Sequence, residues 1–258
     1  MGNPRLTQVQ AIILKDREVG EADRLVCLFT LERGKVWARA AGVRKPTSRL
    51  GGHLQPLCHS RVLLARGRER DVVSQAEALH TFPGLRGDLR RLAQALACAE
   101  VVEGLTAEEQ ANPRIYHLLL HTLEGLEAGE GEVLLRWYEV QMLDALGVVP
   151  HLFACAECGA PLFPQPQYTF RVPVGVVCGG CTSHGGAFLS LSLEGLKVLR
   201  WLARHDYAQV RTLRLGPVGA EVERLLRETF RWHLEREVRA AAFGERVGGY
   251  PPVGGRAF

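Results

Sequence analysis

Lys35-Val36-Trp37-Ala38-Arg39-Ala40-Ala41 reads as a β-strand with two chemically different faces. Successive side chains of a strand point to opposite sides, so Val36, Ala38 and Ala40 share one face and Lys35, Trp37 and Arg39 the other. The first face is small and apolar, as the inside of a narrow barrel requires. The second sets an indole between two cations. Cations match phosphates and an aromatic ring gives a base something to stack on, which is the chemistry of single-strand nucleic-acid binding. The competing reading of Trp37 is a ring that seals a contact with a second domain.

Working outward, the first eighty residues predict about five short strands: Thr7–Lys15, Asp23–Leu31, Lys35–Ala41, Gln55–Ala65 and Asp71–Glu77. Turn signals separate them, with one longer connection, Gly42 to Gly52, after the third. This arrangement suits a small Greek-key barrel of the OB type, with an SH3-like barrel as the nearest competitor. The same eighty residues hold 14 Lys/Arg against 8 Asp/Glu, although the whole chain of 258 residues has a net charge of only +4. From Arg33 to Arg70 the sequence carries ten basic residues and one acidic residue, Glu69. An excess concentrated in one domain points to a polyanion-binding surface. An ordinary solvated face in an arginine-rich protein (28 Arg to 4 Lys) is the plainer alternative. The candidate DNA-binding residues are Lys35, Trp37, Arg39, Arg44, Lys45, Arg49, Arg66 and Arg68. With few aromatics besides Trp37, such binding is mainly electrostatic and weakly sequence-specific.

Several stretches of this region resemble one family. Gly20-Glu-Ala-Asp-Arg-Leu-Val26, Phe29-Thr-Leu-Glu-Arg-Gly-Lys35, Gly42-Val-Arg-Lys-Pro46, Ser48-Arg-Leu50 and Leu54-Gln-Pro56 are similar, in order, to the bacterial RecO family of recombination mediators. The resemblance implies an N-terminal OB-fold that binds single- and double-stranded DNA. It also implies strand annealing, a contact with RecR, and help in loading RecA onto DNA coated by single-stranded DNA-binding protein. The acidic, apolar-ended C-terminal tail of that protein is the ligand that the family's helical domain receives.

Phe82-Pro83-Gly84 ends the β pattern, and apolar residues then recur at helical spacing from Leu85 through Leu89, Leu92, Leu96, Val101 and Leu105. Thr106-Ala-Glu-Glu109 has capping-box spacing before another helix or turn. Further helices are expected from Pro113 and over Glu132–Leu146, stopped by Gly147 and Pro150. The RecO resemblance continues more weakly here, through Ala99-Glu-Val-Val102, Asn112 and Leu143-Asp-Ala-Leu-Gly-Val-Val-Pro150. His117 and His121 are spaced i, i+4, but Leu118 stands where the zincin pattern needs Glu, so they read as helix-surface histidines.

Cys155-Ala-Glu-Cys158 and Cys178-Gly-Gly-Cys181 are two C-x-x-C pairs at the separation of one tetrahedral site. Four thiolates close the coordination sphere, so a single structural zinc ion (Zn2+) is the expected cofactor. His151 and His184 are the alternative ligands. Phe153, Tyr168, Phe170 and Phe188 are candidates for the packing around it. A zinc deaminase would need H-x-E ahead of P-C-x-x-C, and Ala154 and Val177 precede the cysteine pairs. Between Cys155 and Cys181 the only cation is Arg171, against Glu157. Seven cysteines, an odd number, with Cys27, Cys58 and Cys98 scattered, suit a reducing compartment rather than a disulfide framework. The first residues show no signal-peptide or myristoylation pattern and no apolar run reaches membrane-span length.

These readings together predict an α+β multidomain protein. Residues 1–81 form a five-stranded OB-fold β-barrel that binds DNA. Residues 82–243 form an all-helical domain with an inserted four-cysteine zinc module at 151–188, and 244–258, rich in glycine, form a flexible tail. The expected function is a non-enzymatic DNA repair and recombination mediator, cytoplasmic and nucleoid-associated, with no membrane partner. A zinc-ribbon transcription or translation factor is the alternative, and a zinc hydrolase the third reading.

Overall fold

The computed structural model describes residues 6–182, 186–235 and 238. Strands β1 (Leu6–Val19), β2 (Asp23–Thr30), β3 (Gly34–Ala40), β4 (His59–Ala65) and β5 (Asp71–His80) close into a barrel in the order β1-β2-β3-β5-β4. All neighbours are antiparallel except β3 and β5, which pair in parallel only at Ala38↔Asp71 and Arg39↔Val72. That is the five-stranded OB topology. The inward residues of β3 are the expected ones: Val36, Ala38 and Ala40 join Val9, Ala11, Ile13, Val26, Leu28, Val62 and Leu64 in one core. The long β3–β4 connection contributes Val43, Leu54 and Cys58 to the same core. β4 starts at His59 rather than Gln55, because Leu57 takes a left-handed conformation (φ 71°) and turns the chain before the ladder begins.

β1 carries a bulge. Ile13 faces Leu28 while Lys15 faces Cys27, so Leu14 is the extra residue. An extra residue inverts the side to which every later side chain points. Lys15 and Arg17, which share the parity of the inward Val9, Ala11 and Ile13, therefore emerge on the outside.

Helices α1 (Pro83–Arg86), α2 (Leu89–Leu105) and α3 (Pro113–Glu127) belong to the barrel's compact unit, which extends to Gly129. The change from strand to helix does fall at Phe82–Pro83, near the boundary expected at residue 81. Packing, however, carries the unit past it, because α2 lies against β1 and α3 against α2. Asp88 caps α2 by accepting from the Arg90 and Arg91 amides, and restarting the helix there leaves Leu89 exposed instead of inward. The buried stripe of α2 is built mostly of small residues, Ala93, Ala95, Cys98 and Ala99 with Val101 and Val102. Asn112 caps α3 by accepting from the Ile115 amide. Tyr116 on α3 lies 6.4 Å from Phe29 and meets His59 Nε2 at 2.9 Å. His117 and His121 are exposed on α3.

Thr106-Ala-Glu-Glu109 does not open a helix. Thr106 Oγ1 donates back to the Val102 carbonyl and ends α2, and the loop runs along the first half of β3, where β5 is absent. The Glu109 amide donates to the Lys35 carbonyl at 2.9 Å. Gly34, at φ 72°, lies so close beneath this loop that a Cβ would stand 1.9 Å from the Gln110 carbonyl oxygen.

The second compact unit begins at Glu130. α4 (Glu132–Ala145) ends as expected at Gly147: its amide donates to Asp144 and that of Val148 to Leu143, a Schellman closure. A three-stranded sheet, β7 (Gly175–Val177), β6 (Gln167–Arg171) and β8 (Phe188–Ser192) in that order, follows. The chain then returns to helix in α5 (Leu193–Arg204), α6 (Tyr207–Val210) and α7 (Val218–Leu234), and α4 packs against all three. Ser192 ends β8 and caps α5: its hydroxyl accepts from the Gly195 amide and donates to Glu221 of α7. No helix among the described residues is long and apolar enough to cross a membrane. His184 and the tail at 244–258 lie outside the described residues.

Two outcomes check this packing. Gly34→Ala should lower the stability of the barrel unit by about 2 kcal/mol or more, read from urea unfolding, because both the positive φ and the Gln110 carbonyl oppose a side chain. Burial, with the charge of His80 adding to it, holds His59 below the usual histidine range. The unfolded chain therefore binds more protons as pH falls through about 6.5, and the stability that neutral His59 contributes above that value is lost below it. Unfolding midpoints of a His59→Gln variant should change less between about pH 7.5 and about pH 5.5 than those of the parent.

Candidate nucleic-acid interface and metal centre

Cross-strand register builds the outer face of the barrel. One row runs Lys15, Cys27, Trp37 and the next Arg17, Leu25, Arg39. Trp37 is half-buried, with the Lys15 ammonium 5.3 Å and the Arg17 guanidinium 5.6 Å from its ring centre. At that range the ring attracts both cations, and the Lys15 ammonium is also paired with Glu103 Oε1 of α2 at 2.8 Å. Arg39 is 60% exposed and paired with Asp23, which also accepts from the Gly42 amide at 2.7 Å. The Gly42 amide and the Arg39 guanidinium hold the Asp23 carboxyl below its usual range. Arg44 meets Glu18 at 3.1 Å, and its amide donates to Ala22, tying the β3–β4 connection to the β1–β2 turn. Lys45, Arg49, Arg66, Arg68 and Arg17 are exposed and have no carboxylate partner among the described residues. Arg66 and Arg68 stand on the β4–β5 turn, which leads into Asp71 beside β3.

Lys35 departs from expectation. It points outward from the barrel, but α2 covers it: the residue is 8% exposed and its ammonium donates to the Glu103 carbonyl at 2.5 Å. It is a fastener between strand and helix and offers nothing to a phosphate. Lys15 and Arg17 take its place beside Trp37. The bulge at Leu14 hides them from an alternation argument, since without it both would face the core.

In the second unit, Gly159 at φ 71° lets the first cysteine turn close, with its amide donating to Cys155. The segment from His151 lies against β7: His151 exchanges backbone bonds with Val174 and Val176, and the Ala156 amide donates to Val176. Gly175 permits this approach, since a Cβ there would meet the His151 backbone at 2.3 Å. β7 runs straight into Cys178, so the two turns arrive face to face. The sulfurs of Cys155, Cys158, Cys178 and Cys181 all lie within 4.8 Å of one another. Cys158 and Cys178 are 3.7 Å apart, close to the roughly 3.8 Å edge of a tetrahedron with metal–sulfur bonds near 2.3 Å. The Cys178 amide also donates to the Cys155 sulfur at 3.3 Å.

Burial opposes ionisation of Cys155, but the amides of Cys158, Cys178 and Glu157 outweigh it and bring the thiol down to about 6. Cys181, beside the sulfurs of Cys178 and Cys158, is pushed up to about 12. Four sulfurs at this spacing cannot all ionise without a cation between them, and the donor set fits a metal ion. His151 is exposed and outside the cluster. Tyr168 and Phe170 are buried beside this sheet, whereas Phe153 and Phe188 remain 44% and 36% exposed. Arg204 stacks 3.9 Å from the Phe153 ring. Arg171, the one cation between the cysteine pairs, is paired with Glu157.

Fold and site define an OB-type barrel protein with a helical second unit that carries a metal-type cluster of four cysteines. The chain belongs to the recombination protein O family. Residues 4–82 match the family model for its N-terminal part and residues 86–241 that for its C-terminal part. The DNA repair protein RecO of Pelotomaculum thermopropionicum is 37% identical over 98% of this chain and 99% of its own length. Those of Desulforudis audaxviator and Roseiflexus sp. (strain RS-1) are 40% and 41% identical, over 93% and 94% of this chain and 97% and 86% of their own lengths.

Replacing Cys178 with Ser should empty the cluster of metal and lower the unfolding temperature of the second unit by roughly 10 °C or more. Elemental analysis and calorimetry of the purified full chain check both, and a chelator should reproduce the shift in the parent.

Proposed function

We propose that the chain acts in DNA repair as a recombination mediator: a stoichiometric DNA-binding protein with no catalytic step of its own. The observation that carries this reading is Trp37 of β3 beside Lys15 and Arg17 of β1 on the outer β1–β2–β3 face of an OB barrel. The uncompensated cations Lys45, Arg49, Arg66 and Arg68 supplement it. The aromatic ring suits a base and the cations suit phosphates, so single strands are held by stacking and charge together. Duplex DNA would use the charges alone. Neutralising two phosphate backbones on one basic surface lowers their mutual repulsion, which is the physical basis for annealing complementary strands.

The partners of this reading are RecR, single-stranded DNA-binding protein through its C-terminal tail, and RecA indirectly, at the nucleoid in the cytoplasm. The metal in the cluster is zinc, because four thiolates in a tetrahedron suit it, and a closed shell leaves no position for a catalytic water. Pairing of Arg171 with Glu157 weighs against the cysteine module as the DNA-reading element.

The test is salt-dependent binding of a single-stranded oligonucleotide. Reversing Arg17 and Arg39 to Glu should weaken binding at least tenfold and flatten the plot of log affinity against log salt by about 0.7 for each cation withdrawn from a phosphate. Unchanged affinity and slope in a folded variant would remove the barrel face from the mechanism. Lys35→Glu is a stability variant instead, since it would bury a carboxylate against the Glu103 carbonyl.

A further inference from the structure

The α2–α3 loop brings acidic residues to the margin of the basic face. β3 is paired with β5 only at Ala38 and Arg39, so the side of β3 nearer Gly34 is left to this loop, with Glu108 bridged to Lys35. The next residue, Glu109, is 56% exposed at its side chain and grips Arg33 in a fork: Nη2 reaches Oε1 at 2.7 Å and Oε2 at 3.0 Å, and Nε reaches Oε2 at 3.2 Å. From the other side Arg33 Nη1 donates to Asp71 Oδ2 at 2.6 Å, and that carboxylate is only 12% exposed. One guanidinium is thus shared by two carboxylates. Asp71 is the fixed anchor, at the root of the turn bearing Arg66 and Arg68. Glu109 is the solvent-exposed, exchangeable partner.

A guanidinium fork accepts the two oxygens of a phosphate in the same geometry as the two oxygens of a carboxylate. An exposed ion pair is weak enough for a polyanion to displace. We propose that Arg33 is a phosphate-binding residue of the barrel and that Glu109 occupies its fork as an internal competitor. This rests on the barrel face being the nucleic-acid surface. The loop need not leave for the exchange to happen, since its Glu109 amide stays on the Lys35 carbonyl while the side chain swings out. Affinity for nucleic acid is then set partly by a carboxylate of the protein itself, which favours a mediator that must release the strand it delivers.

The experiment is a double-mutant cycle on the full chain, with an oligo(dT) probe and anisotropy read across a salt series. Glu109→Gln should tighten binding about two- to fivefold at low salt and steepen the salt slope by about 0.7, the increment of one more neutralised phosphate. In an Arg33→Gln background the same change should do nothing. No gain from Glu109→Gln, or an equal gain in both backgrounds, overturns the proposal; the second result would reduce Glu109 to a generic repulsive charge. If the parent fails to bind oligo(dT) at low salt, the reading of the barrel face falls, and this inference with it. Gln keeps a hydrogen-bonding group on Arg33, so the variant should fold. Should it unfold, Glu109→Asn, which also removes the carboxylate and suits the left-handed backbone at that position (φ 57°), is expected to tighten binding in the same Arg33-dependent way, and failure to do so counts equally against the competition.

Discussion

The Lys35 ammonium, buried under α2 and bonded to the Glu103 carbonyl, divides the outer surface of the barrel in two. An ammonium taken out of water is tolerable only with its donors satisfied, so strand and helix are locked in one relation at that point. On the Lys35 side, Ile12, Phe29 and Cys27 are fully buried. Beyond it, Arg17 and Arg39 are exposed and Trp37 half-buried, with Lys15 at the boundary, paired to Glu103 of α2 at 2.8 Å. A five-stranded barrel has an outer face on every strand, and helices can cover only part of it. The part left open is the part with charge and an aromatic ring.

Charge in the second unit follows another rule. Around the cysteine module and on the buried side of α4 the cations are consumed: Arg171 by Glu157, Arg136 within reach of Glu139 and Glu223, and Arg200 by the Leu152 carbonyl. The cysteine cluster gathers four sulfurs that would repel one another once ionised, so the geometry is stable with a cation at its centre. Backbone bonds from His151 and Ala156 to β7 bring the two cysteine turns together. A metal held there would fix the small sheet whose last residue, Ser192, starts α5 and binds Glu221 of α7. Cluster, sheet and returning helices form one chain of support.

Alternation along β3 was legible in the residues, and so were the five strands, the Gly147 stop and the spacing of the four cysteines, because each rests on local geometry that a few adjacent residues decide. Lys35 was not. Its parity is right, but whether an outward lysine meets water or a helix depends on a helix some seventy residues later. Lys15 and Arg17 were hidden for a different reason: one bulged residue, Leu14, reverses a parity that the preceding apolar alternation makes convincing. The loop at Thr106–Glu109 shows the third limit. Its capping-box spacing is real, but the gap between β3 and β5 offers its backbone a partner, and tertiary pairing overrides the local signal.

Paired arginines need not be lost to a polyanion. Arg39 with Asp23 and Arg44 with Glu18 are exposed pairs, in which water already competes for both partners, and their net attraction is small. A DNA backbone brings many phosphates at once and releases condensed counterions as it binds, a gain that no single carboxylate can match. Exchange of carboxylate for phosphate is therefore favourable at low salt and is progressively lost as salt rises. Pairing shapes the free protein without removing these residues from the surface, and in the binding mode proposed above it would keep an arginine-rich barrel from binding every polyanion with the full strength of its charge. Lys45, Arg49, Arg66 and Arg68, with nothing to exchange, would supply the first attraction in that mode. The paired residues would add to it only once a strand is close enough to displace their partners.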